Sequence, residues 1–391
     1  MPIDIARARR DTPATASMLH FNAAGAALMP APVLAAQLRH LQLEADTGGY
    51  EAAAAEDQRI EAVYDSIAQL LHAHRTEIAL VENATVAWDM AFYAVGFAPG
   101  DRILTAEAEY ASNYIAFLQT ARRTGAVIDV VPSDVAGELD VAALERMIDG
   151  RVKLIAITHV PTNGGLVNPA AEVGRIARAH RILYLLDACQ SVGQMPIDVA
   201  AIGCDMLSAT GRKYLRAPRG TGFLYVRREI LHRLEPPFLD LQAATWVAPD
   251  RYEMRPDARR FENWERNVAA QLGLGAAVDY ALGWGLADIA ARIAALAGAL
   301  RQRLADIPGV SVRDRGRCPC GIVTFTLGST PSRELVAALR AQRIHTHASA
   351  PASTLLDATA RGLPDLVRAS VHYYNTEDEV ARFAAAVAAL A

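Results

Sequence analysis

Between about residues 76 and 226, short apolar runs rich in Ile, Val and Leu alternate with amphipathic stretches of helical length, the pattern of repeated βαβ units. The spacing predicts strands at Glu77–Val81, Arg102–Thr105, Val127–Val131, Lys153–Thr158, Ile182–Asp187, Met206–Ser208 and Gly222–Val226. Helices fall between them at Ala84–Val95, Ala111–Thr124, Val141–Asp149 and Pro169–Ala179. Runs such as LIAI and ILYLL are apolar throughout, as expected of a mostly parallel sheet buried on both faces. Sheets of that kind take their ligands beyond the carboxyl ends of the strands.

Past Val226 the period is lost in LEPPFLDLQAATW and VAPDRYEMRPDARRFENWERN, which read as a long, ordered, functional loop. A helical pattern returns at Asn267–Asp306. Strands follow at Gly309–Arg313 and Gly321–Leu327, then a helix at Ser332–Gln342, a strand at Ile344–His347, a strand or turn around Val367–His372, and a closing helix at Glu377–Leu390. The organisation expected is an N-terminal arm (1–20), a large domain (21–265) and a small C-terminal α+β domain (266–391), with the start of the large domain packing on the small one.

Composition narrows the function classes. A chain of 391 residues with 52% hydrophobic and 21% charged residues is globular, neither disordered nor collagenous. A net charge of −4 gives no field for a polyanion, so no nucleic-acid partner is expected. Cys189, Cys204, Cys318 and Cys320 are too sparse for a disulfide framework and suit a reducing, cytoplasmic setting. The first residues carry arginines without the apolar run of a secretory signal. Gln271, Asp279 and Arg292 interrupt the alanine-rich stretches, so no membrane association is expected.

The chemistry concentrates in LLDACQSVGQ (185–194) and SATGRKYLRAPRGTGFLYV (208–226). Asp187 stands at the carboxyl end of a buried strand, and Lys213 lies beyond the end of another. A buried carboxylate is costly unless it meets a cation, and a lysine able to lose its proton is a Schiff-base candidate. Together they suit pyridoxal phosphate: the lysine holds the aldehyde, and the carboxylate keeps the pyridine nitrogen protonated so that the ring draws electrons from the substrate Cα. The helix beginning in ENATVAWDM offers free amides and a favourable dipole to the phosphate, with the Ala84 amide and the Thr85 hydroxyl as donors.

On these residues the chain resembles the class V aminotransferase group of fold-type I pyridoxal phosphate enzymes, with cysteine desulfurases, C–S lyases, isopenicillin N epimerase and kynureninase among its relatives. The resemblance runs from about Phe21 to the end. It implies an α/β fold-type I architecture, a large domain on a mostly parallel seven-stranded sheet and a smaller α+β domain. It makes Lys213 the Schiff-base lysine, Asp187 the partner of the pyridine nitrogen and Gln190 a partner of the ring hydroxyl. Ser208, Thr210 and Arg212 sit where such enzymes place further phosphate ligands; many relatives have histidine at the position of Arg212. In EAEYASN, Tyr110 takes the place of the residue that stacks on the ring. In THVPTNGG, Thr162 matches a position near the ring hydroxyl, with Asn163 as the neighbouring alternative and His159 at the same strand end, on the substrate side.

The resemblance also makes Arg368, in LVRASVHYYNTEDEV, the clamp for the substrate α-carboxylate. Asn22 and Ala23 in FNAAG, and Tyr50 in TGGY, match segments that shape the substrate pocket. Trp264 and Asn267 lie where relatives reach across a homodimer interface towards the neighbour's phosphate. Desulfurases carry a nucleophilic cysteine ahead of the carboxylate arginine, whereas HASAPASTLLDATARGLPDLVR has none and places Ser349 and Ser353 there.

Other motifs carry less. Cys318-Pro-Cys320 has no second ligand pair at zinc spacing and reads as a turn. His345 and His347 alternate on one predicted strand and so share a face, yet no carboxylate motif accompanies them; no metal is expected. The implied function is β-elimination from cysteine or an S-substituted cysteine by a C–S lyase. The alternatives are a class V aminotransferase, an epimerase of the isopenicillin N type, and, of another class, a catalytically silent cofactor-binding protein.

Overall fold

The computed structural model describes residues 3–391. A seven-stranded sheet forms its centre in the order Ile78–Val81, Gly222–Val226, Met206–Thr210, Leu183–Asp187, Val152–Thr158, Arg102–Ala106, Val127–Val131. Gly222–Val226 runs antiparallel to both neighbours and the other six strands are mutually parallel. Successive side chains point to opposite faces: Leu154 and Ala156 pack in one apolar cluster with Leu183 and Leu185, while Ile155 and Ile157 pack in the other with Tyr184 and Leu186. Both faces are therefore covered, which is why these strands are apolar at every position.

The predicted strands and helices of this region are all present, with ends moved by one or two residues. Elsewhere the structure adds elements. Residues 31–71, for which the pattern gives no element, form the helices Ala31–Thr47, Gly49–Ala55 and Asp57–Leu71. The expected loop after Val226 contains an antiparallel hairpin, Ala244–Ala248 with Arg251–Met254. Its strands are largely exposed, so no buried face imposes an alternating pattern on them.

The helical stretch at 267–306 is two helices, Val268–Trp284 and Leu286–Ala305, separated by Gly285 at φ +87°, a conformation that favours glycine. The first packs on Ala31–Thr47 and Asp57–Leu71; the second packs on Glu377–Ala388. No single helix among the described residues is long and apolar enough to cross a membrane.

The C-terminal part carries a four-stranded antiparallel sheet ordered Val310–Val312, Ile322–Leu327, Leu366–Ser370, His347–Ser349. The strand expected at 344–347 is divided. Ile344–His345 pairs in parallel with Leu19–His20, whereas His347 belongs to the four-stranded sheet. His345 and His347 thus sit in different sheets and do not share a face, because Thr346 lies between two short strands with different partners. Residues 19–24 lie against the C-terminal sheet: Ser370 N–H donates to Phe21 O at 2.8 Å and Ala24 N–H donates to Ser370 Oγ at 2.9 Å.

Candidate active site

Thr158, Asp187 and Ser208 stand side by side at the carboxyl ends of three adjacent parallel strands. Asp187 is 5% exposed. Its Oδ1 accepts from Cys189 N–H at 2.9 Å and its Oδ2 from Asn113 Nδ2 at 3.0 Å. Lys213, half-buried, follows the next strand. Burial lowers its pKa and the nearby Arg212 and Arg368 add to the effect, against the pull of Cys189 and Asp187. Such an environment favours the neutral, nucleophilic amine.

The phosphate end of the site is set by a close backbone approach. Asn83 caps the helix Ala84–Tyr93, its Oδ1 accepting Val86 N–H at 3.0 Å. Gly222 pairs with Thr210 and has no side chain. A Cβ there would lie 2.8 Å from both Ala209 O and Asn83 C, so glycine is what lets the helix start, with Ala84 and Thr85, come up against the strand that ends at Thr210. The Thr210 hydroxyl makes one long bond, 3.4 Å to Thr221 O. Arg212 is directed elsewhere. Its Nη1 donates to Gly25 O, and its own carbonyl accepts from Ala27 N–H at 3.0 Å, which ties the Lys213 loop to the segment carrying Asn22 and Ala23.

On the substrate side, Arg368 Nη1 donates to the Thr162 hydroxyl, and Gln190 Nε2 donates to the same oxygen at 3.4 Å and to Ala24 O at 3.3 Å. Burial pushes the Arg368 pKa down to about 10, and Arg212 contributes in the same direction. His159 N–H donates to Asp187 O at 2.9 Å. Burial holds its imidazole near pKa 4, hence neutral. Tyr110 is 37% exposed at the start of the helix Ala111–Thr124, and both Arg212 and Arg368 lie within electrostatic reach of it.

Four expected residues lie apart from this cluster. Tyr50 is 81% exposed and, with Trp264, lines a separate cavity of about 440 Å³ that none of the residues around Lys213 enters; the turn at Gly48 starts a new helix on the outside of the molecule. Asn163 faces the C-terminal part, its Nδ2 donating to Ala350 O at 3.2 Å and to Thr354 Oγ1 at 3.1 Å, which leaves Thr162 as the member of that pair in the cluster. Asn267 is a helix cap, its Oδ1 accepting from Ala270 N–H at 2.8 Å. Conversely, Glu109 and Asn113 belong to the site although nothing singled them out. The available signal was their four-residue spacing across the helix start that carries Tyr110.

Ser208 Oγ, Gln190 Oε1, Arg368 Nε and Asn22 Oδ1 are buried without a hydrogen-bond partner among the described residues. Buried polar atoms are ordinarily paired. A lysine whose pKa burial lowers, an anchored carboxylate, a helix N-terminus held against a threonine and a buried arginine form a set that fits pyridoxal phosphate and an amino-acid carboxylate.

Comparison with known proteins agrees with this geometry. The chain matches the class-V aminotransferase family over residues 19–383. It is 30% identical over 380 residues to a probable cysteine desulfurase of Methanothermobacter thermautotrophicus, covering 95% of this chain and 94% of that one. The apo structure of a cysteine desulfurase from Thermococcus onnurineus superposes with a TM-score of 0.92 at 26% identity, over 100% and 98% of the two chains. A cystine C–S lyase in complex with its product cysteine persulfide shares the fold, with a TM-score of 0.86 at 24% identity over 96% and 99%. The chain belongs to the class-V aminotransferase family and is a pyridoxal phosphate-dependent enzyme.

Proposed function

We propose that the protein is a C–S lyase that eliminates the β-sulfur group of cysteine or an S-substituted cysteine. The observation that carries this reading is the segment ahead of Arg368. Residues 347–367 contain no cysteine, and Ser349 there is engaged by Asn163, its hydroxyl donating to Asn163 Oδ1. The cysteine nearest the site, Cys189, has its thiol pushed well above the ordinary range by burial and by Asp187. A thiol held protonated is a poor nucleophile, so sulfur has no residue in the site on which to be carried.

Pyridoxal phosphate, when bound, supplies an aldehyde for the substrate amine and a ring that withdraws electrons from Cα. Lys213, its pKa lowered by burial, takes the Cα proton. Arg368, on which Thr162 holds one nitrogen, grips the α-carboxylate and so fixes which Cα bond is broken. The electron pair of the Cα–H bond forms the Cα–Cβ double bond, and the Cβ–S pair leaves with sulfur as thiolate. Asp187 and Ser208 line the ring end, and Thr85 and Thr210 the phosphate end.

We further propose a homodimer. Ile115 and Leu118, three residues apart and so on one face of the helix that begins after Tyr110, are both exposed; neighbouring exposed apolar side chains favour a partner surface. Tyr50 and Trp264, remote from Lys213 of their own chain, then serve the neighbouring site. Sedimentation at micromolar concentration checks this, and a monomer that retains full activity rejects it. The four free cysteines support a cytoplasmic setting.

The functional test is pyruvate release from the cofactor-loaded enzyme given cysteine, cystine and S-substituted cysteines without an oxo-acid acceptor. Many turnovers per site are expected. A single turnover that leaves the cofactor in its amine form means transamination instead.

A further inference from the structure

Behind Asp187 lies a second carboxylate, which the account above leaves without a role. Glu109 is 3% exposed. Its Oε1 accepts from Tyr110 N–H at 2.9 Å and from Asn113 Nδ2 at 2.8 Å; its Oε2 accepts from Thr158 N–H at 3.0 Å and from Thr105 Oγ1 at 3.0 Å; the Thr158 hydroxyl also donates to it. No lysine or arginine forms an ion pair with it among the described residues. Such a site is built for an acceptor on both oxygens.

Asn113 joins this carboxylate to the one in the active site. Its Nδ2 is 2.8 Å from Glu109 Oε1 and 3.0 Å from Asp187 Oδ2. A carboxamide nitrogen carries two protons, one for each carboxylate, and because both partners are acceptors the nitrogen rather than the oxygen must face them. Asp187 therefore has one oxygen fixed by its own loop, through Cys189 N–H, and the other fixed through a residue whose orientation Glu109 sets.

We propose that Glu109 is a positioning residue for Asp187, acting through the shared Asn113 amide to fix the rotation of the carboxylate that meets the pyridine nitrogen. The inference rests on the reading of Asp187 as that partner. Glutamine cannot replace Glu109 here: its NH2 would point at either Tyr110 N–H or Thr158 N–H, and neither backbone donor can turn away. Substitution therefore displaces Asn113 and frees one side of Asp187.

The test uses the full chain, stripped of cofactor and titrated with pyridoxal phosphate, with affinity and the position of the visible absorption band as readouts. Asp187→Asn, Asn113→Ala, Glu109→Gln and the double variant Glu109→Gln/Asn113→Ala are compared with the parent. Each single variant at 109 or 113 is expected to weaken cofactor binding by about tenfold, as for loss of one hydrogen bond to a charged group, and to move the band in the direction in which Asp187→Asn moves it. The double variant should match Asn113→Ala alone, since one path carries both effects. Additive effects, or unchanged bands at 109 and 113 beside a shifted band in Asp187→Asn, overturn the inference and leave the reading of Asp187 standing. An unchanged band in Asp187→Asn overturns both. If Glu109→Gln does not fold, Asn113→Ala, which leaves the other donors to Glu109 in place, decides by the same criterion.

Discussion

Arg368 and Thr162 meet across the two parts of the molecule: the guanidinium, on a strand of the C-terminal sheet, donates from Nη1 to the threonine hydroxyl beyond a strand of the large sheet, while its Nε stays buried and unpaired. Thr162 thus holds the arginine by one edge and leaves donors for a carboxylate. Arg368→Ala should lower kcat/KM by roughly 10²-fold, the scale of lost charge-assisted hydrogen bonds. Cofactor affinity should be unchanged. Steady-state kinetics with a cofactor titration check this, and Arg368→Lys should recover only part of the loss because an ammonium lacks the planar fork.

The sequence contains two lysines, Lys153 and Lys213. Lys153 pairs with Asp101 at 3.1 Å. Borohydride reduction of the loaded enzyme should attach the cofactor to Lys213 alone, as read by peptide mass. Lys213→Ala should cut turnover by roughly 10³-fold or more, at the upper end for loss of a general base. The lowered pKa of Lys213 predicts that cofactor attachment persists at pH values where an exposed lysine would be protonated.

Glu109 gives a stability signature in the cofactor-free protein. Burial raises its pKa from the ordinary 4.5 to about 7, with Asp187 adding to the rise against the bonds from Thr158 and Asn113. The folded state then binds a proton that the unfolded state has released, so stability falls as pH climbs from about 4.5 to about 7 and this contribution is flat beyond. Denaturant melts of Glu109→Gln across that range should lack this contribution to the slope.

Gly222→Ala tests the backbone approach at the phosphate end. The new Cβ would lie 2.8 Å from atoms of two backbones, at Ala209 and Asn83, neither of which yields as a side-chain tip would. A loss of about 1–3 kcal/mol is expected, as for overpacking elsewhere, together with weaker cofactor binding from displacement of the turn before Ala84. Unfolding midpoints and cofactor titration measure both.

The parts of this molecule legible in sequence are those where one requirement dominates. Strands such as Val152–Thr158 were readable because both faces are buried, and Asp187 and Lys213 because strand ends place costly charges where only chemistry explains them. Three kinds of feature were hidden. The helices Ala31–Thr47 and Gly49–Ala55 bury only Val33, Ala36, His40 and Ala52 and so carry weak contrast between faces, whereas Asp57–Leu71 does bury Ile60, Val63, Tyr64 and Ile67 at helical spacing. The hairpin at Ala244–Met254 is exposed, so nothing enforces alternation. Glu109 draws donors from Thr105, Tyr110 and Asn113, close to it in sequence, and from Thr158, which only folding brings to it. Tyr50 is a different case: the turn at Gly48 carries it away from the Lys213 site of its own chain, a placement that its local sequence does not show.

The central claim, elimination without a sulfur-carrying cysteine, is tested most directly by the product formed from L-cysteine with the loaded enzyme under multiple-turnover conditions. Elimination predicts pyruvate and ammonia in equal amounts with sulfide, and no alanine. Alanine as the main product, with sulfur left on the protein or passed to an added thiol, would contradict the account.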